Sequence, residues 1–175
     1  MEIDIPLNLR QLLPDRIYHT DYIESIESSV SSIVLPNWMC NDGDFKLFDL
    51  SSFVALEYMD IGDNSFSYVE NFTIEGLKRL RRLKIGSNSF TQVKGNSLQF
   101  SFYLTKSFHI LNCESLESVI IGPFSFFDFG GEFKLEGLSS LRSITIGDIK
   151  SESFNFWANS LEIRGFLLQY RLNLL

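Results

Sequence analysis

With 175 residues, 45% of them hydrophobic and 21% charged, the chain has the composition of one ordinary globular domain, far from that of disordered chains. Fifteen basic residues against 22 acidic ones leave a formal net charge of -7, which opposes contact with a nucleic-acid backbone or an anionic membrane surface. The apolar runs fall short of the roughly 20 residues of a membrane span, the start "MEIDIPLNLRQ" lacks a basic then apolar leader, and Cys40 and Cys113 have neither metal nor redox spacing.

These features predict a soluble protein with no nucleic-acid partner, no membrane span, no metal and no cofactor. The absent leader favours the cytoplasm, and the two cysteines are expected as buried free thiols. Phenylalanine is the outlier, 17 residues against 2 Trp and 6 Tyr, and points to a repeated use of one aromatic.

In chain order, residues 1–25 are expected to form a cap or entry segment, with a short helix over 7–13. "SSVSSIVLPNW" (28–38) then begins an apolar pattern that four fuller copies repeat: "FDLSSFVALEYMDIGDNSF" (48–66), "FTIEGLKRLRRLKIGSNSF" (72–90), "FHILNCESLESVIIGPFSF" (108–126) and "FKLEGLSSLRSITIGDIKSESF" (133–154). Phe and Ile stand 13 residues apart in each copy, and glycine follows at 62, 86, 122 and 147. The long 36-residue step between Gly86 and Gly122 marks an insertion at 91–107. "SLEIRGF" (160–166) starts a last partial copy with Leu161, Ile163 and Phe166, and residues 167–175 form an apolar tail.

Counting Phe72 as position 1, the apolar residues are Phe72, Ile74, Leu77, Leu80, Leu83 and Ile85, at positions 1, 3, 6, 9, 12 and 14. Spacing by two at each end of this pattern writes one face of a short strand. The steps of three between them suit a 3₁₀-like turn. In the degenerate first copy, Val30, Ile33 and Leu35 match Leu80, Leu83 and Ile85, and Pro36 takes the place of the glycine. Four full and two partial copies exceed the three that such repeats need to close a core.

The phrase L-x-x-L-x-x-L-x-I-G-x-x-S-F, read from Leu77 to Phe90, resembles the leucine-rich repeats, and among them the BspA-like branch. It departs from the standard motif in lacking L-x-x-N-x-L, since Asn64 and Asn88 follow the glycine. The resemblance covers residues 26–166 and implies a mainly β, leucine-rich-repeat-like solenoid of about five to six coils with short parallel strands. It further implies a non-enzymatic surface that binds other proteins.

Stacked coils place equal repeat positions about 4.8 Å apart. Position 10 reads Glu57, Arg81, Glu117, Arg142, with alternating sign, as neighbours on parallel edges prefer. Two ladders of rings are expected inside: Phe48, Phe72, Phe108 and Phe133, and beside them Phe66, Phe90 and Phe126.

The chemical motifs are weak. "GSNS" after Ile85 has neither the P-loop nor the G-x-G-x-x-G spacing, and its recurrence marks a structural glycine, used for a tight turn or a left-handed backbone. "NDGD" (41–44) begins like a calcium loop but has Ser52 where the bidentate Glu belongs. Asn71-Phe72-Thr73 is a formal glycosylation sequon whose Phe72 belongs in the core. His19 and His109 have no second ligand at metal spacing, and His109 falls at an outward position. "LKRLRRLK" (77–84) is the one basic cluster, and Glu57, Asp60, Glu114 and Glu117 of adjoining copies are expected to compensate it.

The expected function is therefore non-catalytic protein binding, through the strand face carrying Tyr58, Arg82 and Lys84 or through the insertion. Candidate contact residues are Tyr58, Arg82, Lys84, His109 and Phe102. Phe127 or Phe129, in the phenylalanine-rich run 124–133, is a further candidate for an exposed ring. The alternative is a structural, self-assembling repeat module, associating through the apolar C-terminal end "FLLQYRLNLL", or a fragment of a larger repeat protein.

Overall fold

The structure is a computed structural model that describes residues 28–43, 46–93, 105–148 and 153–156, and the backbone of 160–163 and 171–174. The helix expected over 7–13, His19, Phe102 and Phe166 lie outside the described residues.

Eleven short strands account for nearly all the regular structure among the described residues: β1 (Ser32–Leu35), β2 (Leu47–Asp49), β3 (Tyr58–Ile61), β4 (Asn71–Glu75), β5 (Arg82–Ile85), β6 (Ser107–Leu111), β7 (Ser118–Ile121), β8 (Glu132–Glu136), β9 (Ser143–Ile146), β10 (Ser160–Ile163) and β11 (Arg171–Leu174). Each strand pairs in parallel with the next but one. The odd strands form a six-stranded sheet, β1-β3-β5-β7-β9-β11, and the even strands a five-stranded sheet, β10-β8-β6-β4-β2. The chain is thus mainly β, built from parallel strands in two parallel sheets, and β11 brings residues 171–174 into the first of them.

The register follows the repeat. Phe48, Phe72, Phe108 and Phe133 pair in sequence across β2, β4, β6 and β8, and Leu161 joins them on β10. Leu35, Ile61, Ile85, Ile121 and Ile146 do the same in the six-stranded sheet. Every residue at positions 1, 3, 6, 9, 12 and 14 of the four fuller copies is buried, and together they form one cluster drawn from the inward sides of both sheets. The steps of three are turns: Leu56, Leu80, Leu116 and Leu141 donate their amides to the carbonyls of Phe53, Leu77, Cys113 and Leu138 at 2.9 to 3.2 Å.

The rings stack along the same axis as the strands. Phe48, Phe72, Phe108 and Phe133 lie 4.7 to 4.9 Å apart and nearly parallel. Phe66, Phe90, Phe126 and Phe156 make a second column at 4.7 to 5.1 Å. The two columns meet edge to face, as between Phe72 and Phe90 at 5.1 Å and Phe108 and Phe126 at 4.9 Å. Such pairs contribute about 0.5–1.5 kcal/mol beyond the burial of their area.

The second column continues beyond Phe126, the last ring assigned to it from the sequence, and the exposed ring expected at Phe127 or Phe129 is corrected. The ring that continues the second column is Phe156, whereas Phe154, which ends the fourth copy in the sequence alignment, packs against Phe124 and Phe127. Asn155 explains the shift: its side-chain amide donates to the carbonyls of Gly122 and Ser125 at 2.8 and 2.9 Å, so it fills the place that serine holds before Phe66, Phe90 and Phe126. Phe127 and Phe129 are also both buried, and neither offers an exposed ring.

The corner after each glycine carries left-handed residues at alternate positions. Asn64, Asn88 and Phe124 have φ of 56°, 54° and 63°, and Phe66, Phe90, Phe126 and Phe156 lie between 49° and 58°. A bulky residue at such φ costs about 1–3 kcal/mol, offset by the ring burial it permits. The serine between is buried and bridges copies. Met39 donates to Ser65 Oγ, Ser65 N to Ser89 Oγ and Ser89 N to Ser125 Oγ, at 3.0 to 3.1 Å. Ser89 and Ser125 pass their own protons to the carbonyls of Gly62 and Gly86.

Candidate functional site

Parity along β1, β3, β5, β7 and β9 sends two columns of side chains away from the core. One column pairs Ser32, Tyr58, Arg82, Ser118 and Ser143 in register. The other pairs Val34, Asp60, Lys84, Ile120 and Thr145. In the first column the two large side chains are adjacent and have serines on either side. Tyr58 is 48% exposed, and Arg82 is exposed beside it. Among the described residues no carboxylate forms an ion pair with Arg82.

Lys84, expected on the same face, does lie there, but its Nζ is held by both oxygens of Asp60 at 2.8 and 3.0 Å. The rest of the basic cluster is similarly engaged. Lys78 reaches Glu114 at 2.5 Å, Arg79 reaches Glu57 at 2.6 Å, and Arg81 reaches Glu117 at 3.2 Å. The compensating acids are the four expected. The detail differs at Glu57, whose carboxylate goes to Arg79 and leaves Arg81 with Glu117 alone.

His109 belongs to the other sheet, on β6, between Thr73 and Lys134. It is half-buried, with Nε2 3.0 Å from Glu132 Oε2 but without hydrogen-bond alignment. It therefore does not join Tyr58 and Arg82, and its neighbour is Glu132, which the sequence alone does not assign to it. Phe102 lies outside the described residues, as does most of the insertion.

Among the described residues, the repeat glycine Gly86 is packed against the preceding copy and not open to a ligand. The Gly86 amide already donates to Ile61 O at 2.8 Å, and a Cβ on Gly86 would stand 2.7 Å from Asp63 N and Gly62 C. Gly62, Gly86 and Gly122 are thus required for close approach between copies, and of the four repeat glycines only Gly147 is left-handed, at φ 86°. In the segment that begins like a calcium loop, Asn41 turns inward: its side chain donates to Asn64 O and accepts from Ser67 N and Oγ at 2.8 to 2.9 Å. The cysteines are free and buried. Burial pushes the Cys40 thiol up to about 11, and raises that of Cys113 as well.

One polar feature had no sequence signal. Lys106 and Asp128 are each 1% exposed and form an ion pair at 2.8 Å, with Lys106 Nζ also 5.4 Å from the centre of the Phe129 ring. Lys106 lies near the end of the insertion and leads directly into β6, and Asp128 lies in the phenylalanine-rich run, so only the fold brings them together. The serine bridge was visible as the residue before each Phe at position 19, but its recurrence alone did not reveal a hydrogen-bonding role.

No protein-family model, curated protein or solved structure matches the chain.

Proposed function

We propose that the chain is a non-catalytic protein-binding module. In this reading it is a leucine-rich-repeat-like solenoid of five to six coils, and its six-stranded face meets a protein partner through Tyr58 and Arg82. The observation that carries the reading is the Tyr58–Arg82 ridge, two large side chains in adjacent register positions with serines on both sides. Tyrosine and arginine are the residue types that anchor protein interfaces when a partner desolvates them. The remaining charges of the basic cluster are met by neighbouring copies, which singles out Arg82. Support for the solenoid comes from the pairing of each strand with the next but one, and from ring and serine columns that follow the same period.

Affinity capture with the intact chain, followed by titration of the partner recovered, tests the proposal. Tyr58→Ala and Arg82→Glu are expected to weaken binding by at least about tenfold each, as hot-spot truncations do. Lys134→Glu, on the opposite sheet, should leave it unchanged. Equal binding by all three variants would remove the ridge from consideration.

A further inference from the structure

The glycine at position 15 is constrained on its side toward the preceding copy in two ways. The amides of Gly62, Gly86, Gly122 and Gly147 donate to the carbonyls of Leu35, Ile61, Ile85 and Ile121 at 2.8 to 2.9 Å. A Cβ at Gly62 would stand 2.6 Å from Asn37 N and Pro36 C, and one at Gly122 would stand 2.7 Å from Gly86 C and Ser87 N. At Gly62, Gly86 and Gly122, stacking a copy onto the one before therefore needs both a free amide and an absent side chain.

The first copy has Pro36 at this position. Proline has no amide hydrogen, carries a Cβ, and places a ring carbon where the hydrogen would point. Pro36 is exposed, while Gly62, Gly86 and Gly122 are half-buried under their neighbours. We propose that Pro36 is a stop, which prevents a second copy of this chain from continuing the two parallel sheets on the β1 side. The contact it excludes is head to tail, since β11 and β10 form the opposite outer edges of the sheets, and a contact of that kind propagates without closing. The inference rests on the reading of the chain as a stack of repeats, and it weighs against self-assembly through this edge.

Light scattering over a range of concentrations, with wild type, Pro36→Gly and Pro36→Ala, tests it. Glycine restores the amide and clears the space, whereas alanine restores the amide alone and keeps the obstructing Cβ. Wild type and Pro36→Ala are expected at single-chain mass, and Pro36→Gly is expected to shift to two or more chains as concentration rises. The proposal is overturned by Pro36→Gly remaining at single-chain mass, by Pro36→Ala associating as readily as Pro36→Gly, or by wild type associating as readily as Pro36→Gly.

Should Pro36→Gly fail to fold, Gly62→Pro decides, because it moves the stop one copy inward. Amides of β1 should then lose hydrogen-exchange protection while those of β5 and β7 keep theirs. Retained protection in β1 sinks the idea. Neither result bears on the Tyr58 and Arg82 titrations, so the two readings fail separately.

Discussion

At the scale of single residues, the requirement for glycine is steric. Gly86→Ala sets a Cβ against backbone atoms of the preceding copy, which cannot swing aside as a side chain could. A loss of about 1–3 kcal/mol is expected from such overpacking, read from the denaturant midpoint. Gly43→Ala, with no heavy atom within 4 Å of its new Cβ, is the matched control and should stay near wild type. The Cys40 thiol gives a pH-dependent prediction. Its folded value is raised from 9.0 to about 11, so the folded state holds this proton more tightly than the unfolded state. The contribution is fully present below pH 9 and is lost as pH rises toward 11. Thiol reagents at neutral pH should accordingly label the native chain slowly and the unfolded chain fast, and rapid native labelling of Cys40 would contradict its burial.

At the scale of elements, the ring columns and the buried ion pair depend on opposite physics. Phe90 stacks on Phe66 and Phe126 and meets Phe48 and Phe72 edge to face. Phe90→Ala should cost about 3–5 kcal/mol in thermal or chemical unfolding, and Phe90→Leu clearly less, because the cavity is smaller. For Lys106 and Asp128, burial makes the pair expensive to form and more expensive to break. Asp128→Ala should cost about 3–5 kcal/mol, since it removes the carboxylate that faces the buried Lys106 ammonium at 2.8 Å. The double variant Lys106→Met/Asp128→Leu should recover most of that loss, and a double-mutant cycle measures the difference. The exposed pairs of the basic cluster, by contrast, contribute about 0–1 kcal/mol each. The inward residues of these elements were legible in the sequence because spacing by two converts directly into one face of a strand. Phe156 was not, because after the altered loop only the serine-like bonding of Asn155 shows which of two phenylalanines continues the column. The period likewise showed that position 15 needs glycine, but space and left-handed φ leave the same mark on a sequence.

At the scale of the whole molecule, the sequence period gave the alternation between two sheets, since positions 1 to 3 and 12 to 14 became strands of different sheets in every copy. The structure separates residues that the sequence groups as candidate contacts: Tyr58 and Arg82 at position 11 share one sheet, while His109 at position 2 belongs to the other. The Lys106–Asp128 pair was beyond reach, because the insertion hides the register that joins its members. A further consequence lies in the direction of the bonding. Strand pairing, the serine bridges and the stacked rings all connect one copy to the next along a common axis. Tension applied along that axis would meet these links in series, so the weakest junction yields first and the rest of the molecule keeps its form. Force across the axis would instead act within each copy, on turns and packed side chains. Pulling along that axis is therefore expected to open the described copies in separate steps, and pulling across it is not, a difference that single-molecule force measurements would read.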